Sequence, residues 1–349
     1  MRALSMTLLA LVAATILAAS DASACTRCVR VFSDGTVIAA RSMDWVEDPG
    51  SEIWVYPRGM NRSGNAGPKS LTWTSRYGSV GVSFYGIATV DGMNEKGLVA
   101  NVLYLVESDY GKSSAGRPDM SIGGWAQYVL DSYATVAEAV AALEKEPFTI
   151  VAPILPNGEP GVGHLALSDP SGDSAIFEYV GGKLRIHHGR QFTVMTNSPP
   201  FDQQLALDAY WKEIGGDVML PGTIRASDRF ARASFYIGAI PESLTGRRAI
   251  ASVFSVIRNT SAPLGITTPG KPNVSSTIWR TVHDQKDRTL YFDSATSPTV
   301  FWVPLASLDF TAGTPVRKLA LKGGETYSGD ASGSLKSAEA FQFLEAKPK

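Results

Sequence analysis

The sequence predicts an α+β fold, a sheet-rich sandwich rather than a regular alternation of one strand with one helix. Strand-like segments occur in blocks along the chain, and segments with helical spacing separate those blocks. In the first block, Asp34-Gly35 lies between two β-branched runs and predicts an antiparallel hairpin.

Strands are predicted where short apolar or alternating runs are bounded by turn residues. The first hairpin joins residues 26–32 to residues 36–40. The other predicted strands span residues 53–56, 79–85, 98–105, 164–168, 174–179, 277–282, 289–292 and 300–303.

Helices are predicted from apolar residues at helical spacing and from end signals. The clearest start is the capping box of Thr135 and Glu138, and the clearest stops are Pro147 and Gly215-Gly216. The predicted helices span residues 122–133, 135–145, 203–214, 228–237 and 248–257.

The composition excludes several classes of function. The 349 residues carry a formal net charge of -1, so no basic field argues for nucleic-acid binding. Cys25 and Cys28 are the only cysteines, which excludes a disulfide scaffold and a four-cysteine zinc site. No histidine has metal-ligand spacing to another, and the adjacent His187 and His188 would point to opposite faces of a strand. We therefore predict no metal and no other cofactor.

The first residues have the pattern of a signal peptide. Arg2 supplies a positive start, residues 8–19 form a short apolar run, and Ala22-Ser23-Ala24 is an A-x-A cleavage signal. The apolar run is too short for a membrane span, and no later stretch approaches the needed length. We predict a signal peptide over residues 1–24, a single domain over residues 25–349, and a periplasmic or secreted protein with no stable membrane span after cleavage. An uncleaved anchor is the alternative.

Cleavage after Ala24 makes Cys25 the first residue of the mature protein. One interpretation is a lipoprotein with an acylated thiol, although Ala22 stands where such signals usually have a large aliphatic residue. A second is a nucleophile that uses its own α-amine as the base, since that amine has a pKa near about 8 and is partly neutral at pH 7. A third is a cysteine placed there by coincidence, and the signal region alone does not decide between the three.

The hairpin predicts which side chains accompany Cys25. A two-residue turn at Asp34-Gly35 would place Cys25 opposite Asp44 and Cys28 opposite Arg41, with opposed Cβ atoms roughly 5 Å apart. Asp44 would then hold the amine or the thiol in position. Arg41 would fall on the other face of the strand and would need a bulge to join the site. A surface ion pair between Arg41 and Asp44 is the alternative.

The spacing Cys25-x-x-Cys28 is not interpreted as a redox motif. Redox pairs of this spacing lie at a helix N-terminus, where the helix dipole lowers the pKa of one thiol. Here the run continues as a strand, so the two sulfur atoms point to opposite faces. Cys28 is predicted to be a small buried residue.

Several motifs in order along the chain resemble those of the choloylglycine hydrolase and penicillin V acylase family, whose members are N-terminal-nucleophile cysteine hydrolases. They cover nearly the whole chain after residue 24. The matching segments are Cys25-Thr26-Arg27, Arg41-Ser42-Met43-Asp44-Trp45, Asp91-Gly92-Met93-Asn94-Glu95-Lys96-Gly97-Leu98, Thr196-Asn197-Ser198-Pro199 and Asp228-Arg229-Phe230.

The resemblance implies an αββα four-layer sandwich and hydrolysis of linear amide C–N bonds in small molecules. Cys25 matches the nucleophile, and Arg41 and Asp44 match the polar pair around it. Asn197 matches a residue that helps hold the tetrahedral oxyanion, and Arg229 completes the polar network. The thiolate would attack the carbonyl, and water would then release the acid from a thioester acyl-enzyme.

Two features indicate the specificity within the family. Tyr104 stands where bile-salt hydrolases carry asparagine and penicillin V acylases carry an aromatic residue, and with Trp45 it predicts an aromatic acyl pocket. On an alternating strand, Tyr104 would share a face with Leu98, Ala100 and Val102. Both aromatic residues could instead belong to the core.

The segment between the last two motifs, residues 197–229, is shorter than in Gram-positive members. It resembles the periplasmic Gram-negative branch, some members of which also cleave acyl-homoserine lactones. The chain could form a homo-oligomer, but the shortened segment leaves the oligomeric state open.

The sequence therefore predicts an exported amide hydrolase with penicillin V acylase-like specificity. Within the enzyme class, the alternative is a conjugated bile salt hydrolase. Outside that class, the alternative is a lipid-anchored binding protein of the same fold that is catalytically silent.

Overall fold

The computed structural model describes residues 25–114, 116–266 and 275–347. The predicted signal peptide and its cleavage signal, residues 1–24, lie outside these ranges.

Two large sheets dominate the described part of the chain. In chain order the strands are β1 (Thr26–Val31), β2 (Val37–Trp45), β3 (Ile53–Tyr56), β4 (Asn61–Ser63), β5 (Thr72–Thr74), β6 (Ser79–Phe84), β7 (Ala88–Asn94), β8 (Val99–Leu103), β9 (Asp119–Ser121), β10 (Thr149–Val151), β11 (His164–Ser168), β12 (Ser174–Val180), β13 (Lys183–His188), β14 (Val194–Thr196), β15 (Ser276–Asp284), β16 (Thr289–Ser294), β17 (Val300–Pro304), β18 (Arg317–Leu319), β19 (Gly329–Asp330) and β20 (Lys336–Ser337).

The first sheet has seven strands in the order β14-β1-β2-β15-β16-β17-β19, and the second has nine in the order β13-β12-β11-β8-β7-β6-β3-β18-β20. Their strands pair antiparallel except for the short contact of β17 with β19. Short two-stranded sheets of β4 with β5 and of β9 with β10 lie outside them.

Helices cover the outer faces of both large sheets. α4 packs on β1 and β14, α5 packs on β2 and β15, and α3 packs against α4. On the second sheet, α1 packs on β7 and β8, and α2 packs against β12. These layers confirm the αββα sandwich. The helices are α1 (Trp125–Ser132), α2 (Val136–Leu143), α3 (Phe201–Ile214), α4 (Ala226–Ala239) and α5 (Gly246–Asn259), with single 3₁₀ turns at Ile122–Gly124, Leu305–Ser307 and Ser332–Ser334.

Local sequence signals explain the element ends well. The Thr135 side chain accepts a hydrogen bond from the Glu138 backbone N–H, as the capping box predicts. Gly215 ends α3 with a φ of 82°, a left-handed conformation that glycine adopts without strain. β3 and β11 begin and end at the predicted residues, and the other predicted strands and helices differ by a few residues at their ends.

The register of the first hairpin differs by one residue from the predicted one. Cys28 lies opposite Ala40 rather than Arg41. By the same shift Cys25 does not lie opposite Asp44. A slip of one residue changes which side chains share a face, because side chains alternate along a strand.

The turn explains the shift. The Phe32 N–H donates to the Thr36 carbonyl (2.8 Å), so the loop contains Ser33, Asp34 and Gly35 rather than two residues. Gly35 has a φ of 78°, and the Asp34 carboxylate accepts from the Thr36 N–H at 2.9 Å. A three-residue loop that ends in a left-handed glycine is the next most common hairpin connection after two-residue turns.

In the observed register, Arg41 reaches the face of Cys25 without a bulge in β2. Arg41 lies opposite Arg27, and Cys25 shares the face of Arg27 because it is two residues away. The predicted need for a redirected Arg41 was therefore wrong. Asp44 falls on the opposite face of β2, toward the helices.

The expected face of Tyr104 was also wrong. β8 ends at Leu103, so the strand alternation does not continue through Tyr104. Leu98 and Ala100 pack in the core between the second sheet and its helices. Tyr104 packs instead against the core that includes the space between the two sheets, where the first hairpin also lies.

Candidate active site

Cys25 lies buried at the start of β1, with a side chain that is 2% exposed. Its sulfur atom lies 3.5 Å from the guanidinium Nη2 of Arg41 and 3.5 Å from the backbone nitrogen of Asp44. Its backbone nitrogen donates to Oδ1 of Asn197. This nitrogen becomes the α-amine when the chain is cut before Cys25.

Asn197 reaches Cys25 through the pairing of β1 with β14. Thr26 pairs with Thr196 at the end of that ladder, so the following residue lies beside Cys25. The Asn197 Oδ1 also accepts from Nη2 of Arg229 at 3.3 Å. Its Nδ2 donates to the Tyr104 carbonyl at 2.6 Å, which leaves one amide hydrogen free of that contact.

Arg229 projects from the first turn of α4 onto the other side of β1. Its Nη1 donates to the Cys25 carbonyl (2.6 Å) and to the Thr26 hydroxyl (2.5 Å). The same atom lies 3.7 Å from the Asp44 carboxylate. Arg229 is fully buried, so it joins the start of β1 and Asp44 in a region with little access to water.

Arg41 lies between the two sheets. Its Nη1 donates to the backbone carbonyl groups of Val90 (2.6 Å) and Val102 (3.0 Å) on the second sheet, while its Nη2 faces the Cys25 sulfur. The guanidinium also lies 5.0 Å from the centre of the Trp279 ring. These contacts fix a positive charge beside the sulfur.

The burial of the site sets the protonation of Cys25. Loss of hydration raises the pKa of the Cys25 thiol, and the charges of Arg41 and Arg229 only partly oppose this effect. Burial likewise raises the pKa of the Asp44 carboxyl despite the neighbouring Arg229. A thiol in this setting needs a base to remove its proton before it can attack a carbonyl.

A small apolar cavity opens beside the sulfur, with a volume of about 70 Å³. Trp45 and Tyr104 both line it, with ring centroids 5.6 Å apart. The Trp45 indole N–H donates to the Tyr85 hydroxyl at 2.9 Å, which fixes the indole in place. The remaining wall is formed by Arg41, Met43, Phe84, Ala88, Thr89, Val90, Val102, Ile122, Gly123, Leu155 and Gly161.

The structure brings all seven predicted site residues together: four contact the backbone or sulfur of Cys25, and Trp45 and Tyr104 lie in the cavity wall. A larger cavity of about 540 Å³ lies between residues 108–113 and 150–162 and contains none of them. The sequence reasoning did not identify the cavity residues Phe84, Ile122 and Leu155, which come from distant segments and carry no motif.

Cys28 lies apart from this site although it is close in sequence. It is fully buried, and loss of hydration raises the pKa of its thiol to about 12. Cys25 and Cys28 are both free thiols on opposite faces of the strand. This arrangement does not suit a redox pair and agrees with the predicted structural role of Cys28.

The described residues contain no cluster of three or more histidine, cysteine, aspartate or glutamate side chains that could hold a metal ion. Nor does any helix in the described ranges have the length and apolar character needed to cross a membrane.

Comparison with known proteins gives a consistent result. The profile of the linear amide C–N hydrolases, choloylglycine hydrolase family, matches residues 25–317. The chain belongs to the choloylglycine hydrolase family. It is 48% identical to a penicillin V acylase of Pectobacterium atrosepticum, with 96% of each chain covered.

Two solved structures have the same fold. Penicillin V acylase from Agrobacterium tumefaciens is 58% identical, with a TM-score of 0.86 over 91% of this chain and 99% of the other. A conjugated bile acid hydrolase from Clostridium perfringens is 21% identical, with a TM-score of 0.74 over 88% and 98%. The protein is an amide hydrolase of the linear amide C–N type, and its family acts on small-molecule amides.

Proposed function

We propose that this hydrolase cleaves penicillin V and related acyl amides, with Cys25 as a nucleophile freed by removal of residues 1–24. The proposal rests on the surroundings of Cys25. Its nitrogen and its sulfur each contact a polar side chain, and the sulfur also faces an apolar cavity. The nitrogen contacts Asn197, the sulfur contacts Arg41, and the cavity is walled by Trp45 and Tyr104.

In the proposed reaction the α-amine takes the proton of the Cys25 thiol. The sulfur then attacks the amide carbonyl and forms a C–S bond, giving a tetrahedral oxyanion. As the C–N bond breaks, the α-ammonium gives its proton to the leaving amine, and a thioester remains. Water attacks this thioester with the α-amine as base, which releases the acid and restores the thiol.

Asn197 and Asp44 support different parts of this reaction. The Oδ1 of Asn197 holds the nitrogen of Cys25, and its Nδ2 has one hydrogen not used by the Tyr104 carbonyl. That hydrogen is the candidate donor to the oxyanion, and preorganised donors of this kind contribute roughly 10²–10³ in rate. Asp44 holds its charge close to Arg229 on the other side of the strand.

Penicillin V is proposed as substrate for two reasons. The relatives at 48% and 58% identity are both named penicillin V acylases. In addition, the cavity wall offers two aromatic rings at 5.6 Å against which a phenoxyacetyl group could pack. Acyl-homoserine lactones are the second substrate class to test, because an aliphatic acyl chain would fit the same apolar wall.

A substrate panel tests this assignment. Mature protein is assayed with penicillin V, glycocholate, taurocholate and a long-chain acyl-homoserine lactone under one set of conditions. We expect penicillin V to have the highest kcat/KM. A marked preference for glycocholate would make the bile salt hydrolase alternative correct, and no turnover of penicillin V would refute the substrate assignment.

We further propose that the protein is exported to the periplasm or beyond, because the family profile begins to match at Cys25, directly after the predicted cleavage signal. The intact mass of protein from the native host tests this, with a chain that begins at an unmodified Cys25 as the expected result. A diacylglyceryl adduct on Cys25 would exclude the free nucleophile. The mass of the native assembly measures whether the chain forms a homo-oligomer.

The same idea predicts the behaviour of a chain that begins Met-Cys25. It should become active only when the methionine is removed, because an amide nitrogen cannot act as the base. Full activity with the methionine retained, shown by mass spectrometry of the assayed sample, would contradict the role of the α-amine.

A further inference from the structure

The ladder between β2 and β15 contains a bulge beside Asp44. On one side of it Thr281 lies opposite Arg41 and Trp279 lies opposite Met43, and on the other side Thr277 lies opposite Asp44. If the pairing of Thr281 with Arg41 and of Trp279 with Met43 continued without a bulge, Thr277 would lie opposite Trp45. The bulge therefore changes the partner of Thr277 from a cavity residue to the buried carboxylate.

The bulge also changes the face to which Thr277 points. Trp279 contacts Arg41 between the sheets, and regular alternation would place Thr277 on that same face. The extra residue turns Thr277 toward the helices, where its side chain is 1% exposed. Bulges often redirect a single side chain next to an active site.

The hydrogen bonds of Thr277 define the direction of its hydroxyl group. Its Oγ1 accepts from the Ala262 backbone N–H at 2.9 Å and lies 2.5 Å from Oδ1 of Asp44. The single hydroxyl hydrogen is thus donated to the carboxylate. The Thr277 N–H donates in turn to the Ala262 carbonyl at 3.1 Å, so the backbone of Ala262 holds the residue in place.

We propose that Thr277 is a positioning residue for the hydrolysis reaction, and that the β15 bulge serves to direct its hydroxyl group to Asp44. Among the described residues, Oδ2 of Asp44 accepts no hydrogen bond, and the nearest arginine contact is the 3.7 Å approach of Arg229. The Thr277 hydroxyl is a side-chain donor that holds Oδ1 of the carboxylate in place. The inference rests on the proposed role of Cys25 as nucleophile.

This role predicts an effect on the reaction rate rather than on substrate binding. Neither Thr277 nor Asp44 lines the cavity beside the sulfur. Removal of the hydroxyl group should lower kcat by roughly tenfold to a hundredfold, the usual range for a lost hydrogen bond to a charged group, while KM changes little.

The experiment compares three variants of the mature protein with penicillin V as substrate. Thr277→Val removes the hydroxyl group at nearly constant shape, and Thr277→Ser keeps it. Thr260→Val is the matched control, because Thr260 is fully buried and, within the described ranges, its hydroxyl group bonds to the Ile257 and Val256 carbonyl groups at the end of α5. For each variant, kcat, KM and Tm are measured on protein whose thiol content has been titrated.

We expect Thr277→Val to lose kcat with KM unchanged, Thr277→Ser to keep most of kcat, and Thr260→Val to lose Tm without losing kcat. Wild-type kcat in Thr277→Val, or an equal loss in Thr277→Ser, would overturn the proposal. If Thr277→Val does not fold, Thr277→Ser decides alone. Cys25→Ala separates the two proposals: activity in that variant refutes the nucleophile, whereas its inactivity beside a fully active Thr277→Val refutes only the positioning role.

Discussion

The two faces of the first hairpin carry different kinds of chemistry. The face toward the second sheet presents the Cys25 sulfur, Arg41 and Trp45 to an apolar cavity. The face toward the helices presents Asp44 to Arg229 and Thr277, away from that cavity. Alternation of side chains along β1 and β2 separates Cys25 and Arg41 from Asp44, and the bulge in β15 brings Thr277 to the side of Asp44.

The two faces of the pair β1 and β2 therefore have different expected roles. The groups that would touch the acyl chain lie between the sheets together with the charge of Arg41, and the ion pair of Asp44 with Arg229 lies under α4 and α5. Behind the strand this pair keeps the same surroundings when a substrate binds, whereas beside the acyl group its surroundings would change with each substrate. The two faces should therefore differ in whether a substitution changes kcat or KM.

Replacement of Cys25 tests its proposed role as the nucleophile on the cavity-facing side. Cys25→Ser should lower kcat/KM by roughly 10³-fold or more, because the serine hydroxyl is far less acidic than a thiol and the α-amine is a poor base for it. The substitution is small and should leave Tm nearly unchanged. Turnover comparable to wild type, measured with penicillin V, would mean that the nucleophile lies elsewhere.

Substitution on the helix-facing side should act on kcat. Asp44→Asn keeps the shape of the side chain but removes its charge, and kcat should fall by roughly tenfold to a hundredfold with KM little changed. A higher KM at unchanged kcat would contradict the division between the two faces.

The same variant gives a prediction for the pH dependence of stability. Burial raises the pKa of Asp44 in the folded state, so the ionised form is disfavoured there and costs stability as the pH rises through the folded pKa. Asp44→Asn should thus have a Tm equal to or above that of wild type at pH 7, and the difference should vanish below the unfolded pKa of about 3.9. A lower Tm at pH 7 alone would show that the carboxylate is net stabilising.

Substitution in the cavity should act mainly on KM. Tyr104→Asn removes a ring that is half-buried beside Trp45, and the lost apolar contact of about 1–2 kcal/mol corresponds to roughly five- to thirtyfold in kcat/KM. Tyr104→Phe is the control, because it keeps the ring. If the free energy of unfolding falls by the amount typical of a core aromatic deletion, about 3–5 kcal/mol, while kcat/KM per folded molecule is unchanged, Tyr104 belongs to the core.

The division between the two faces could not be predicted from the sequence, although most elements could. Strand and helix positions follow from local periodicity and end signals, which act over a few residues. The hairpin register depends on whether Gly35 forms part of a two- or a three-residue loop, and the Asp34-Gly35 pattern allows both. The predicted register brought Arg41 to the face now occupied by Asp44 and reversed their roles.

Long-range contacts limit the prediction in a different way. Cys25, Asn197 and Arg229 are far apart in sequence, and no local pattern indicates that they meet; only the family resemblance suggested it. Thr277 carried no motif at all, since its contact with Asp44 depends on a bulge that the β-branched run of β15 does not reveal. The resemblance located the candidate nucleophile and its polar neighbours, and the structure located Thr277 beside one of those neighbours.

The smallest expected effect concerns Cys28, which allows the two faces of the hairpin to be compared within a single strand. It lies three residues from Cys25 but on the helix-facing side, fully buried, and its thiol has a pKa of about 12. Between pH 6 and pH 9 its thiol should stay protonated and unreactive, because the thiolate is the reactive form. Iodoacetamide should therefore modify Cys25 alone in the folded mature protein, as peptide mass mapping would show.

Cys28→Ala should keep kcat and KM within about twofold of wild type and lose only about 1 kcal/mol of unfolding free energy, as expected for a small buried side chain. Modification of Cys28 at a rate similar to that of Cys25, or loss of activity in Cys28→Ala at unchanged Tm, would show that the helix-facing side takes a direct part in the thiol chemistry.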